Sequence, residues 1–185
     1  MTSPPGQSTF QLRITLQDVD PPVWRRILVP GAINLDKLHL VFQAAMGWTN
    51  SHLHCYRVAD NLYGTHFDDY PDDEIDEHEV SVLQALRDHK RFMYEYDFGD
   101  SWDHEVEIED LTRSRLGLKY AVCLAGANAC PPEDCGGTWG YSHLTEVLAD
   151  PSHEEHGDLV KWVGGSFEAS PFDLAAANAE LQRLR

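Results

Sequence analysis

Positive charge is scarce in this sequence. Fourteen Lys and Arg stand against 31 Asp and Glu, a formal net charge of −17 over 185 residues. The deficit is local as well as global. Residues 60 to 79 hold nine acidic residues and residues 92 to 112 hold eight, with no Lys or Arg in either stretch. A field of that sign repels nucleic acid and anionic membrane over most of the surface, so a nucleic-acid partner is disfavoured. The acidic runs read as solvated faces. Long apolar runs are missing too. No stretch approaches the roughly 20 apolar residues of a membrane-spanning helix, so no membrane partner is expected. Met1 to Ser8 has neither the basic nor the apolar region of a signal peptide, and the expected location is the cytoplasm. There the four cysteines are read as thiols or metal ligands rather than disulfides. Also lacking are a Walker loop, a dinucleotide glycine fingerprint, a Gly-x-Ser-x-Gly elbow and any familiar DNA-binding module. No internal repeat and no linker interrupts the chain, which is read as a disordered tail over 1–8 and one domain over 9–185.

What is present centres on the stretch from Phe92 to Glu109. Phe92, Tyr94, Tyr96 and Phe98 alternate with Met93, Glu95 and Asp97. Beyond a Gly99-Asp100 turn, Trp102, His104, Val106 and Ile108 alternate with Asp103, Glu105, Glu107 and Glu109. Two runs of period two around a glycine turn predict a β-hairpin with an aromatic inner face and an acidic outer one.

The rest of the chain falls in around it. Phe10, Leu12, Ile14 and Leu16 mark a strand, and Val23 to Val29 a second, antiparallel one. Leu35, Leu38, Val41, Phe42, Ala45 and Met46 recur at helical spacing between an Asn34 cap and a Gly47 stop. A third strand is predicted over 51–59, with His52, His54 and Tyr56 on one side. A surface loop should run to Glu79, with a short strand at Asn61 to Tyr63, and Ser81 should cap a short helix through Leu86. After a short strand from Tyr120 to Leu124 comes a turn-rich cysteine loop over 125–137. Three helices follow, Tyr141 to Ala149, His153 to Val163 and Phe172 to Leu184, the last capped by Ser170-Pro171. The fold class expected is α+β: one domain, a mainly antiparallel sheet with a central β-hairpin, packed by helices, with a helical C-terminus.

Three clusters can carry chemistry. Cys123, Cys130 and Cys135 are spaced C-x6-C-x4-C in a loop set by proline and glycine. Three thiolates and one imidazole make a structural zinc set, with His104 as fourth ligand and His54, His143 and Cys55 as rivals. Buried structural thiols are the alternative reading. Asp97, Asp100 and His104 at the hairpin turn, with Glu133 and Asp134 in the cysteine loop, suit a hard cation or acid–base work. The alternative is an Asx turn beside a core histidine. Arg25 and Arg26 follow Trp24 on a strand, where they either contact phosphate or pair with the acidic loops.

The segments Pro-Pro-Val-Trp-Arg-Arg-Ile-Leu-Val-Pro (21–30), Met-Gly-Trp-Thr-Asn-Ser-His-Leu-His (46–54), Tyr-Asp-Phe-Gly-Asp-Ser-Trp-Asp-His (96–104) and the cysteine loop with its Gly-Gly-Thr-Trp-Gly-Tyr exit (123–141) resemble the plasmid pRiA4b ORF-3-like family. The resemblance spans about residues 10 to 183. It implies a small α+β domain of unknown function, associated with plasmids and mobile elements, some of whose relatives carry a resolvase label. It supplies no catalytic residue. Asp103 stands where Glu is commoner in the family.

The function expected is a non-enzymatic binding or accessory module with a protein or small-molecule partner and a structural zinc. Its ligand groove would lie between the hairpin turn and the cysteine loop, lined by Asp97, Asp100, Trp102, Glu133, Asp134, Trp139 and Tyr141. One alternative is a mobile-element-associated DNA-transaction accessory using Arg25 and Arg26. The other is a metal-dependent hydrolase built on Asp97, Asp100 and His104.

Overall fold

A computed structural model describes residues 8–65, 74–113, 117–165 and 171–185. The tail at 1–7, part of the acidic loop, residues 114–116, and residues 166–170 with Ser170 among them lie outside that description. Among the described residues eight strands form one sheet: β1 (Ser8–Leu16), β2 (Trp24–Pro30), β3 (His54–Val58), β4 (Asn61–Gly64), β5 (Glu74–Asp76), β6 (Arg91–Tyr96), β7 (Trp102–Arg113) and β8 (Val122–Ala127). Their order is β5-β4-β3-β6-β7-β1-β2-β8, and every pairing is antiparallel except β4 with β5. Five helices among the described residues accompany them: α1 (Leu35–Met46), α2 (Val82–Leu86), α3 (Gly137–Ala149), α4 (His156–Trp162) and α5 (Leu174–Arg183). This is the expected α+β fold, with the β6–β7 hairpin near the middle of the sheet.

Alternation makes the sheet two-faced. Phe10, Leu12, Ile14, Ile27, Val29, Tyr56, Tyr94, Tyr96, Trp102 and Val106 are buried with the apolar side of α1, which contributes Leu35, Leu38, Phe42 and Met46. On the opposite face charged side chains pair across strands, as in Arg26 with Glu109 (2.6 Å), Arg57 with Glu95 (2.5 Å) and Arg91 with Glu105 (3.4 Å). Such exposed pairs each contribute up to about 1 kcal/mol.

Local signals act where the sequence places them, with five corrections. Gly47 ends α1 in the left-handed conformation (φ 94°), and a Ser81–Gln84 capping box starts α2. Asn34 stands at the α1 cap, but its side chain donates to the His78 carbonyl instead of capping. Ser8, assigned to the tail, belongs to β1, where it completes the ladder with Arg113. The segment at 74–76 is a strand rather than loop, held parallel beside β4. Phe98, in phase with Tyr94 and Tyr96, is half exposed, because Asp97 turns into left-handed backbone (φ 58°) and breaks the alternation. Lastly, α5 is capped by Asp173, which accepts from the amides of Ala175 and Ala176, not by the Ser170-Pro171 pair. Asp173→Ala should therefore cost about 1 kcal/mol by urea unfolding.

Candidate functional site

The hairpin turn and the cysteine loop do not flank an open groove; they are docked on one another. Asp97 Oδ1 accepts from the amides of Gly99 (3.0 Å) and Asp100 (3.3 Å), which shapes the turn. Asp100 Oδ2 then accepts from the Gly136 amide at 3.2 Å. Glu133 Oε1 accepts from the Tyr96 hydroxyl, and its Oε2 accepts from the amide and hydroxyl of Thr49. Trp48 Nε1 donates to the Pro131 carbonyl at 3.0 Å. The loop is thus fastened to the hairpin and to the segment between α1 and β3.

That docking gathers three side chains distant in sequence. His52 Nε2 lies 3.2 Å from Asp134 Oδ1 and 3.6 Å from Asp97 Oδ2. Although these contacts are close, Nε2 is enclosed and has no hydrogen-bond partner, so neither carboxylate sits where an N–H would point. Asp97 is 6 % exposed, and a buried carboxylate requires a positive or hydrogen-bonding partner. Its Oδ1 is used by the turn, which leaves Oδ2 facing His52. Among the described residues, His52, Asp97 and Asp134 are the one group of three or more His, Cys, Asp or Glu whose ligand atoms all lie within 4.8 Å of one another. A hollow of about 400 Å³ adjoins His52 and Asp97, lined also by Asn50, Ser51, Leu53 and Phe98.

The expected zinc set does not assemble. Cys123, Cys130, Cys135 and His104 are all described, and their donor atoms do not converge. Cys123 Sγ donates to the Ala125 carbonyl (3.5 Å) and Cys135 Sγ to that of Gly137 (3.9 Å). Burial pushes the Cys135 thiol up to about 12 and the Cys130 thiol higher still. Of the rivals, Cys55 is pushed to about 11 by burial, His54 bonds Glu77, and His143 bonds Glu155. His104 has no exposure and bonds the Tyr94 carbonyl through Nδ1 (3.2 Å), so that nitrogen carries the proton. The Asp97–Asp100–His104 arrangement is therefore not formed: Asp100 serves the cysteine loop, and His104 is sealed in the core. Trp102 (0 %) and Tyr141 (5 %) are likewise core residues rather than groove walls, whereas Trp139 is 80 % exposed. The two arginines separate. Arg26 pairs with Glu109, and Arg25 turns inward.

Two groupings are not among the clusters that the sequence suggests, although His54 is named there as a rival zinc ligand. One is His52, for which the only signal was its shared side with His54 and Tyr56. The other is a buried polar chain. Glu77 accepts from His54 (2.8 Å), whose ring stacks on His39 at 3.4 Å, and His39 meets the Tyr94 hydroxyl at 2.8 Å. Burial pushes the Glu77 carboxyl up, but its bonds to His54 and Thr65 outweigh that and hold it below the ordinary value.

An acidic α+β domain with an eight-stranded sheet and a loop-docked His/Asp cluster is the class that the geometry defines. The family model for plasmid pRiA4b ORF-3-like protein matches residues 8–176, and the chain belongs to this family. It is similar to the uncharacterized protein y4hQ of Sinorhizobium fredii, with 46 % identity over 173 residues, 92 % of this chain and 87 % of that protein. It is also similar to the crystal structure of a protein of unknown function, MM3350, from Methanosarcina mazei Go1. There the TM-score is 0.82 at 34 % identity, covering 90 % of this chain and 96 % of the other. Among the described residues no helix is long and apolar enough to cross a membrane.

Proposed function

We propose that this chain is a binding module in which the hairpin turn and the cysteine loop are joined through a divalent cation held by His52, Asp97 and Asp134. The observation that carries this reading is the enclosed His52 Nε2, without a hydrogen bond, facing two carboxylate oxygens at 3.2 and 3.6 Å. Separations of that size are what ligands about 2.1 Å from a shared ion present to one another. One imidazole and two carboxylates favour Zn²⁺ or Mn²⁺ over softer ions, so the zinc reading moves from the thiols to this cluster. Three protein ligands leave coordination positions open toward the hollow, where an oxygen of a partner molecule can complete the shell. With Arg25 turned into the fold and Arg26 paired to Glu109, the two residues proposed for DNA contact do not form one basic surface for a nucleic-acid backbone.

The test is titration of tag-free protein with Mn²⁺ by electron paramagnetic resonance and with Zn²⁺ by calorimetry. One site per chain is expected, weakened at least about tenfold in both Asp97→Asn and His52→Gln. Asp97→Asn keeps the oxygen that shapes the turn, so lost binding would not reflect a lost fold. Wild-type affinity in both variants, or no stoichiometric site at all, would sink the proposal.

A further inference from the structure

Arg25 is in phase with Ile27 and Val29 on the covered face of β2, and it is 2 % exposed. Its Nε donates to the Ala45 carbonyl (2.9 Å), and Nη1 donates to those of Trp24 (2.8 Å) and Ala127 (3.0 Å). The guanidinium lies 4.0 Å from the Phe172 ring centre. Since α1 carries no basic residue in its own last turn, Arg25 supplies the positive charge at that helix's negative end. These contacts use three of the five N–H groups. The two on Nη2 have no acceptor among the described residues. In a chain with 31 acidic residues, no described carboxylate pairs with this arginine. It lines a cavity of about 440 Å³ between the end of α1, the cysteine loop and α5, together with Met46, Trp48, Cys130, Pro131 and Phe172.

We infer that this cavity binds a small organic monocarboxylate, with the carboxylate on Arg25 Nη2 and the apolar body against Met46, Trp48 and Phe172. A mostly apolar hollow of this size with one convergent cation is the usual form of such a site. A guanidinium with a free edge matches a carboxylate or a phosphate oxygen equally well. The rim decides between them. Glu133, Asp173 and Glu180 line the same cavity, and their negative charge opposes a phosphate dianion more than a monoanion. This site is separate from the proposed cation cluster and does not depend on it.

The probe is benzoate, with benzamide as its uncharged isostere and inorganic phosphate as competitor. Binding is read by calorimetry and by the shift of the Trp48 indole N–H in two-dimensional NMR. Benzoate should bind saturably and about tenfold or more tighter than benzamide, and phosphate should not displace it. Arg25→Gln should abolish the preference for benzoate. Because that variant also removes carbonyl contacts, a second one is needed. Ala176→Phe changes an exposed α5 position that lines the cavity, fills the space and leaves the bonds of Arg25 intact. It should abolish binding without lowering the unfolding midpoint. Equal binding of benzamide, undiminished binding in Ala176→Phe, or displacement by phosphate would each overturn the inference.

Discussion

Gly137→Ala should destabilise the protein by about 3 kcal/mol and remove the proposed cation site at the same time. Gly137 begins α3 at φ 67°, left-handed backbone that costs an L-residue roughly 1–2 kcal/mol. A Cβ there would also lie 2.4 Å from the Asp100 carbonyl oxygen, a contact with backbone that no rotamer change relieves. The strand-to-turn segment and the helix start would have to part. Parting breaks the bond from the Gly136 amide to Asp100 and carries Asp134 away from His52 and Asp97. Gly157 is the control. It sits exposed inside α4 with nothing within 4 Å of its Cβ position, so Gly157→Ala should stabilise by about 0.5–1 kcal/mol. Urea unfolding of the two variants should therefore shift in opposite directions. A Gly137→Ala protein with wild-type stability and wild-type Mn²⁺ affinity would show that the loops are not docked as described.

The fold was legible wherever a residue's role depends on near neighbours in sequence. The β6–β7 hairpin, α1 between Asn34 and Gly47, and the Ser81 cap follow from period, cap and turn chemistry, which act within a few residues. The site was much less legible, for two physical reasons. First, the candidate site brings His52 to Asp97 and Asp134, which the sequence does nominate together for a hard cation, only through loop docking; no period or spacing encodes the contact of His52 with them. Second, the sequence reasoning that nominated His104 and Trp102 also disqualified them. An inward position on β7, which lies between β6 and β1, is a core position, so facing inward beside Val106 meant sealed rather than available. Arg25 shows the reverse error. Its phase with Ile27 and Val29 already placed it inside, yet adjacency to Arg26 led the pair to be read as one basic surface feature. For the cysteines, spacing and a loop set by proline and glycine point to zinc, yet Cys123 lies on β8, as the strand pattern over Tyr120 to Leu124 implies, while the other two lie in the loop beyond it, and the thiols do not converge.

Lowering the pH from 7 to 5 should cost the protein about 4 kcal/mol of stability through two buried histidines. Burial drives both His39 and His104 down to about 4; for His39 the stacked His54 ring pushes the same way. In the unfolded chain both return to about 6.5. The sign follows from proton counting. Between pH 6.5 and 4 the unfolded state holds the protons that the folded state refuses, so stability falls as pH falls. Each histidine should contribute about 2 kcal/mol of that loss by pH 5. Two opposing effects are smaller. Protonation of exposed His78, whose pKa is raised by its bond to Asp76, gains only a screened surface interaction. Full relief of repulsion in the −17 chain needs the carboxylates to be neutralised, which belongs mainly to lower pH. There the Glu77 carboxyl, held below its ordinary value against the cost of burial, adds loss in the same direction. Urea midpoints at pH 7 and pH 5 measure the slope. His39→Gln and His104→Gln should each remove about half of it, although both variants start less stable. A slope unchanged in both would mean that the buried rings accept protons as readily as free ones, and that the Tyr94 side of the core is wetter than its burial implies. Loss of half the slope in each would instead make the His39–Tyr94–His104 interior the element that limits the acid range of the fold.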